Sequence, residues 1–247
     1  MSLTEKNIRE KEFHNKLHSK SEGRFENFIY KSIINAWDDF FDFLSLNVKD
    51  LEVLDYGCGV GPVIKKVVKF NPKKITGIDI SEVSIAKAKE NFQDSNFKID
   101  LFVDNCEKTK FNDGKFDLVY GLGILHHLDI SKCVLEISRI LKPSGKLLFI
   151  EPLGTNPLIN LYRSLTPGSR SKDEHPLISK DFDIIKKKFS QINLKYYGLS
   201  TLIFFPFYSS SKKSFIFKML TKLDQILFKI KFFRFFAWSV LITAKKD

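Results

Sequence analysis

Between Val53 and Pro62 an apolar run ends in an acid, Asp55, and three glycines follow at every second position, Gly57, Gly59 and Gly61. Glycines this dense open positive φ and remove the Cβ atoms that would hold a ligand off the main chain. A helical pattern resumes at Val63-Ile64-Lys65-Lys66-Val67-Val68, so the loop joins a strand to a helix. Open α/β sheets bind ligands at such turns, outside the carboxyl ends of the strands. Spacing excludes two nucleotide-binding loops. Counting from Gly57, G-x-G-x-x-G would need a last glycine where Pro62 stands, and no Gly-Lys-Ser/Thr is present for a P-loop.

The stretches around that loop alternate strand and helix, the rhythm of a parallel α/β sheet. Leu51 to Tyr56 reads as a first strand and Gly61 to Phe70 as its helix, ended by Pro72. Lys74 to Asp79 is a second strand, and Ser81 is placed to cap a helix from Glu82 to Asn91. Lys98 to Val103 and Phe116 to Tyr120 supply strands three and four. An amphipathic helix over Ser131 to Leu141 stops at the turn Lys142-Pro-Ser-Gly145, before the apolar fifth strand Lys146 to Glu151. Upstream, residues 1 to 24 read as a loosely helical polar arm, and Phe25 to Leu46 carries apolar residues at a helical period. Beyond Glu151 the rhythm breaks. Pro152 to Ile178 is a long connection rich in Pro, Gly, Ser and Asn, which in a compact domain is functional or disordered. Asp181 to Phe189 reads as a helix, Lys195 to Phe205 as a strand, Phe215 to Ile230 as an amphipathic helix and Trp238 to Ala244 as a closing strand.

At 247 residues the chain can bury a full core in one α/β domain. Three cysteines without C-x-x-C spacing fit a reducing, cytoplasmic setting. Residues 1 to 20 are charged and hold no apolar core, so no signal peptide is expected, and no run reaches the roughly 18 apolar residues that span a bilayer. The net charge of +11 is uneven: residues 180–247 hold 14 Lys and Arg against 4 Asp and Glu, together with 12 of the 25 phenylalanines. Basic and aromatic residues together fit an anionic surface with an apolar side, such as the inner face of a membrane. A solvated lysine face fits the same composition equally well. No Cys/His set has metal-ligand spacing, so no metal is expected.

Asp79 ends strand two, 18 residues after Gly61, where an acid accepts both hydroxyls of a ribose. Phe116-Asp-Leu-Val-Tyr120, Leu125-His-His-Leu128 and Leu141-Lys-Pro-Ser-Gly145 follow in order. Over residues 51 to 152 this set, with the D-x-G-x-G-x-G string, resembles the class I S-adenosylmethionine-dependent methyltransferases, in the branch of quinone-biosynthesis and small-molecule enzymes. The resemblance implies S-adenosyl-L-methionine as cofactor. It also implies a Rossmann-like, doubly wound, mostly parallel α/β sheet of seven strands, the last antiparallel, with an N-terminal helix and a C-terminal helical insertion. The expected organisation is a single methyltransferase domain over 1–247, with a helical arm (1–50), a cofactor-binding core (51–152) and an acceptor-covering part (153–247). By the same resemblance Asp55 orients the cofactor's amino group within the cradle of Gly57, Gly59 and Gly61. Ile80 stacks on adenine, Asp104 takes the adenine amino group, the Asn105 N–H serves the ring nitrogen, and Gly121 and Leu122 touch the methionine end. Tyr120-Gly-Leu-Gly123 departs from the small polar residues usual after strand four.

A sulfonium-activated methyl moves by in-line displacement, so the main task of such a protein is to hold an acceptor roughly 3 Å from it. A base is needed only where the acceptor must lose a proton. His175, in Asp173-Glu-His-Pro176, lies in the segment that covers the acceptor in the resembled family, and histidine accepts protons near neutral pH. Glu151, at the tip of strand five, and His126, after strand four, are further candidates for catalysis. Arg163, Arg170 and His127 are candidates for acceptor binding, the arginines for an anionic group; each is also an ordinary turn or loop residue. Leu199 to Tyr208 and Phe228 to Trp238 are aromatic and aliphatic, interleaved with Lys212, Lys213, Lys218, Lys222, Lys229 and Lys231. They fit a lipid-like acceptor presented at a membrane, or a helical cap packed on the sheet. The leading expectation is methyl transfer to O, N or C of a small apolar or lipid-linked acceptor. An RNA methyltransferase would use the basic tail for phosphates, but lacks an N-P-P-Y-type sequence here. A non-catalytic S-adenosylmethionine-binding regulator is the non-enzymatic reading.

Overall fold

The computed structural model describes residues 3–19, 28–167, 170–207 and 214–247. Seven strands form one sheet in the order β3-β2-β1-β4-β5-β7-β6. β1 (Glu52–Tyr56), β2 (Lys74–Asp79), β3 (Ile99–Val103), β4 (Phe116–Leu122) and β5 (Leu141–Pro152) are parallel neighbours. β7 (Ser239–Lys245) runs antiparallel between β5 and β6 (Ser190–Tyr197). The last strand is therefore the antiparallel one, as expected. The order reverses between β1 and β4, which opens a crevice at their carboxyl ends where the chain has no crossover to fill it.

α1 (Glu5–Ser19) precedes α2 (Ile34–Asn47), whose Ala36, Phe40 and Leu44 repeat every four residues and are fully buried on the sheet. α3 (Ile64–Val67) is one turn, continued by a 3₁₀ turn that ends at Asn71 in the left-handed region. α4 (Glu82–Asn91) starts where the sequence places it, because the Ser81 hydroxyl accepts the Ser84 N–H. α2, α3 and α4 share one apolar cluster on one face of the sheet. α5 (Ile130–Ile140), capped by Asp129, covers the other face with α7 (Ser179–Lys186).

Beyond β5 the structure changes the reading of the sequence. The connection from Pro152 to Ile178 contains a helix, α6 (Pro157–Leu165), capped by the Asn156 side chain with Pro157 in its first turn. The ends of this excursion are clasped, since Gly154 N–H donates to Leu177 O and Leu177 N–H to Pro152 O. The expected strand from Lys195 to Phe205 is overturned. β6 stops at Tyr197, Gly198 turns the chain at φ +81°, and α8 (Ser200–Ile203) begins. The cause is the buried Asp224 carboxylate, which accepts the N–H groups of Leu199, Ser200 and Thr201 and replaces a strand partner with a helix cap. α9 (Phe215–Leu227) supplies Asp224, and α10 (Lys231–Arg234) leads to β7. Tyr208, Lys212 and Lys213 lie outside the described residues.

α9 buries Phe217, Leu220 and Asp224 and turns Phe215, Met219, Leu223 and Ile226 outward. Phe207 is 77% exposed, Leu165 73%, Phe215 79% and Phe232 67%. Lys218, Lys222, Lys229 and Lys231 are exposed among them. No helix among the described residues is long and apolar enough to cross a membrane.

Candidate active site

β1, β2 and β3 end side by side, which brings Asp55, Asp79 and Asp104 to consecutive strand tips. The glycine loop folds back on β2: the N–H groups of Gly57 and Cys58 both donate to Ile78 O. Gly57 and Gly61 have φ of +79° and +84°, and a Cβ on Gly57 would come within 2.6 Å of Ile124. Asp79 aims at this loop, its Oδ2 accepting the Gly59 N–H at 2.9 Å and its Oδ1 the Ser81 N–H at 2.8 Å. Burial raises the Asp79 carboxyl above its ordinary value despite these donors. Asp55 is buried deeper. Burial, and then the charge of Asp79, push its carboxyl well up, and its Oδ2 has no hydrogen-bond partner. An orphaned carboxylate oxygen in a bare backbone cradle fits a ligand carrying an amino group and hydroxyls.

Asp104 sits differently. Its Oδ1 accepts the Asn105 N–H and its Oδ2 the Lys110 N–H, so it fastens its own loop. The Asn105 N–H, expected on an adenine nitrogen, thus donates inside the protein. Ile80 is half-buried beside Asp79. Gly121 is buried in β4, where a Cβ would strike Phe149 and Ile124, so its lack of a side chain serves packing.

α1 lies across this end of the sheet. Asn105 donates to Asn7, Ser81 Oγ to Asn15 Oδ1, and Lys11 pairs with Glu82. Arg9 holds Asp173 through two bonds of 2.7 and 2.9 Å.

Glu151, fully buried at the end of β5, accepts the N–H groups of Ile124 (3.0 Å), Leu125 (2.8 Å) and His126 (3.3 Å). Its Oε2 is 2.7 Å from His126 Nδ1. Burial pushes the Glu151 carboxyl up to about 7 against those donors. That contact fixes the orientation of the imidazole.

His126 lines a cavity of about 370 Å³ with Leu122, Gly123, Tyr162, Arg163, Arg170 and Glu174. Its walls are completed by Tyr30, Ile33, Trp37, Ile159 and Trp238. Arg163 donates to Leu153 O and Asn160 Oδ1, and burial with the neighbouring Arg170 lowers its guanidinium to about 10. Arg170 donates to Arg163 O and lies 3.7 Å from Glu174. The chain thus assembles an apolar chamber with two guanidiniums at one wall and an imidazole at another. His175 is not among the lining residues; its half-exposed ring lies 3.3 Å from Asp181. His127 is buried behind the cavity wall, with Nδ1 3.0 Å from Glu10 and Nε2 3.8 Å from Glu174.

Spacing alone left several of these residues unassigned. Tyr30, Ile33 and Trp37 sit at helical intervals on an aromatic face whose core-facing partners are Phe40 and Leu44. Only the docking of that segment separates the two sets. Tyr162 and Ile159 depend on α6 forming inside a segment that reads as a loop. Asn7, Glu10 and Asn15 depend on a polar arm returning to the sheet.

Residues 54–149 match the methyltransferase domain family. A sterol 4-C-methyltransferase of Caenorhabditis elegans is 30% identical over 111 residues, 44% of this chain and 33% of that protein. The ubiquinone/menaquinone biosynthesis C-methyltransferase of Geotalea uraniireducens is 29% identical over 159 residues, 62% of this chain and 63% of its own. The chain thus spans about a third to two thirds of these relatives. The geranyl diphosphate C-methyltransferase of Streptomyces coelicolor, solved with Mg2+, geranyl diphosphate and S-adenosyl-L-homocysteine, shares the fold at a TM-score of 0.68. It is 13% identical, with both chains fully covered. Strand order, glycine cradle and family match agree: residues 54–149 form a class I S-adenosylmethionine-dependent methyltransferase domain.

Proposed function

We propose that the protein transfers a methyl group from S-adenosylmethionine to a small, largely apolar acceptor bearing an anionic end, taken from a membrane surface. The observation that carries this reading is the chamber at the carboxyl ends of β4 and β5, apolar over most of its lining, with Arg163, Arg170, Glu174 and His126 as its charged or titratable groups. Glu174 offsets the charge of Arg170, but Arg163 has only carbonyl and amide oxygens as acceptors, and burial disfavours its charged form. A carboxylate, phosphate or diphosphate on the acceptor would supply the counter-charge that Arg163 lacks, within reach of Arg170. The relatives' names fit this chemistry, since sterols and quinones are apolar and geranyl diphosphate is an apolar chain with an anionic end.

When bound, the cofactor supplies an electrophilic methyl on a sulfonium. Asp79 would hold its ribose, Asp55 its amino group, and the Gly57 to Gly61 backbone the space between. The chain's own residues do the rest. Arg163 and Arg170 fix one end of the acceptor, Trp37, Ile159 and Tyr162 exclude water from the other, and Leu122 and Gly123 separate the two ligands. His126, held by Glu151, accepts a proton where the acceptor atom must lose one. The outward apolar residues of α6, α8, α9 and α10, with their lysines, would rest on anionic lipid and open the chamber toward it. An RNA substrate fits less well, as a narrow apolar chamber offers no groove for phosphates.

Calorimetry with S-adenosylmethionine, then tritiated-methyl transfer to prenyl phosphates, phenols, fatty acids and RNA, tests the proposal. Transfer to an apolar anionic acceptor, lost in His126→Ala with cofactor affinity unchanged, is the expected result. Transfer to RNA alone, or cofactor binding without transfer to any acceptor, would overturn it.

A further inference from the structure

We infer that Glu10, His14 and His127 form a binding site for one divalent transition-metal ion of the zinc class, clasping α1 to the turn after β4. Glu10 and His14 are four residues apart on α1, so their side chains project from one face of the helix. That face meets His127, and the carboxylate oxygen and two ring nitrogens lie within 4.8 Å of one another. Glu10 Oε2 is 3.0 Å from His127 Nδ1 and 3.7 Å from His14 Nε2. Ligand atoms about 2.0–2.1 Å from a tetrahedral zinc ion stand about 3.3 Å apart, so small adjustments seat the ion.

The two inner atoms form a buried charge contact that is not aligned as a hydrogen bond. Glu10 and His127 are each 3% exposed, and neither Glu10 Oε2 nor His127 Nδ1 has a hydrogen-bond partner. At 3.0 Å they face one another at an angle that makes no hydrogen bond. Their charge contact holds the two together, and His14 Nε2, 3.7 Å from the same oxygen, adds the second imidazole that an ion pair does not need and a metal does. The outer atoms, in contrast, are held as metal ligands are held. Glu10 Oε1 accepts from the Ser171 hydroxyl, and His127 Nε2 faces Glu174. A carboxylate behind a ligating imidazole fixes its tautomer and raises its basicity. Imidazole with carboxylate selects a zinc-like ion over Mg2+ or Ca2+, which prefer oxygen. This departs from the expectation of no metal. The ligands are 113 residues apart between His14 and His127, and no spacing rule joins them.

Loading would pin α1, and with it Asn7 and Asn15, over Asn105 and Ser81 at the cofactor end of the sheet. The test is titration of Zn2+ alone into the chelator-treated full chain, purified without a histidine tag. One ion per chain is expected, with affinity reduced at least 100-fold in Glu10→Gln and in His14→Ala, about tenfold in Glu174→Gln, and unchanged in His175→Asn. X-ray absorption should show two imidazoles and one carboxylate oxygen, and hydrogen exchange of the α1 amides should slow on loading. No stoichiometric binding, or binding that persists in both Glu10→Gln and His14→Ala, would overturn the inference. His14 packs against His127, so each variant is first shown to keep the parent's metal-free melting temperature, and a folded His14→Ala that still binds Zn2+ with parent affinity would also overturn the inference.

Discussion

The two ends of this sheet use apolar residues in opposite ways. From β1 to β5 nearly every large apolar side chain points inward, and the surface at the strand tips is polar and backbone-rich. From α6 to α10 the small cluster of Phe205, Phe217 and Leu220 is buried while a larger apolar set faces out. Large exposed apolar patches on a monomeric protein mark a surface that meets something. On the function proposed above, the first region would hold one ligand in fixed geometry and the second would lie against an extended, non-specific phase. The cavity sits where they meet, since α6 sends Ile159 and Tyr162 into it and Leu158, Leu161 and Leu165 away.

The contrast can be broken most sharply at the cofactor end. Asp79→Ala removes a carboxylate that steadies Gly59 and is proposed to hold the ribose, and should weaken S-adenosylmethionine binding by a factor of about 100 or more in calorimetry. An unchanged affinity would move the cofactor elsewhere. In the cavity, Arg163→Ala should raise the acceptor KM by about 10- to 100-fold with kcat little altered, the pattern of lost binding common to ground and transition states. On the outer surface, Phe215→Glu with Phe232→Glu should abolish sedimentation with anionic vesicles and leave cofactor affinity untouched. The parent chain should prefer anionic over neutral vesicles at least tenfold, less so at high salt. Equal binding of the double variant would return those helices to the role of a simple cap.

Smaller effects sharpen the same comparison. Glu151 carries a folded-state pKa of about 7 against an ordinary 4.5. Below about pH 4.5 it is protonated folded or unfolded and contributes no pH dependence. As pH rises toward 7 the unfolded chain releases its proton first, so stability falls by about 3 kcal/mol across that window. Denaturant titrations should show this slope in the parent and its absence in Glu151→Gln; parallel curves would contradict the assignment. Ser81→Ala, which removes the cap of α4, should cost about 1 kcal/mol.

Local chemistry made the first region readable. Glycines that need positive φ, acids at strand ends and a serine before a helix each act within a few residues of themselves, so β2 and α4 lie where the residues place them. The sequence alone determined the alternation, the cradle and the acids at its rim, because each rests on a period or a turn. It could not separate Tyr30 and Trp37 from Phe40, nor foresee that Asp224 would cap α8 in place of a strand. It could not bring His127 to Glu10 either. Those outcomes depend on which surfaces meet after the chain has closed, and burial and unsatisfied polar atoms exist only once they have met.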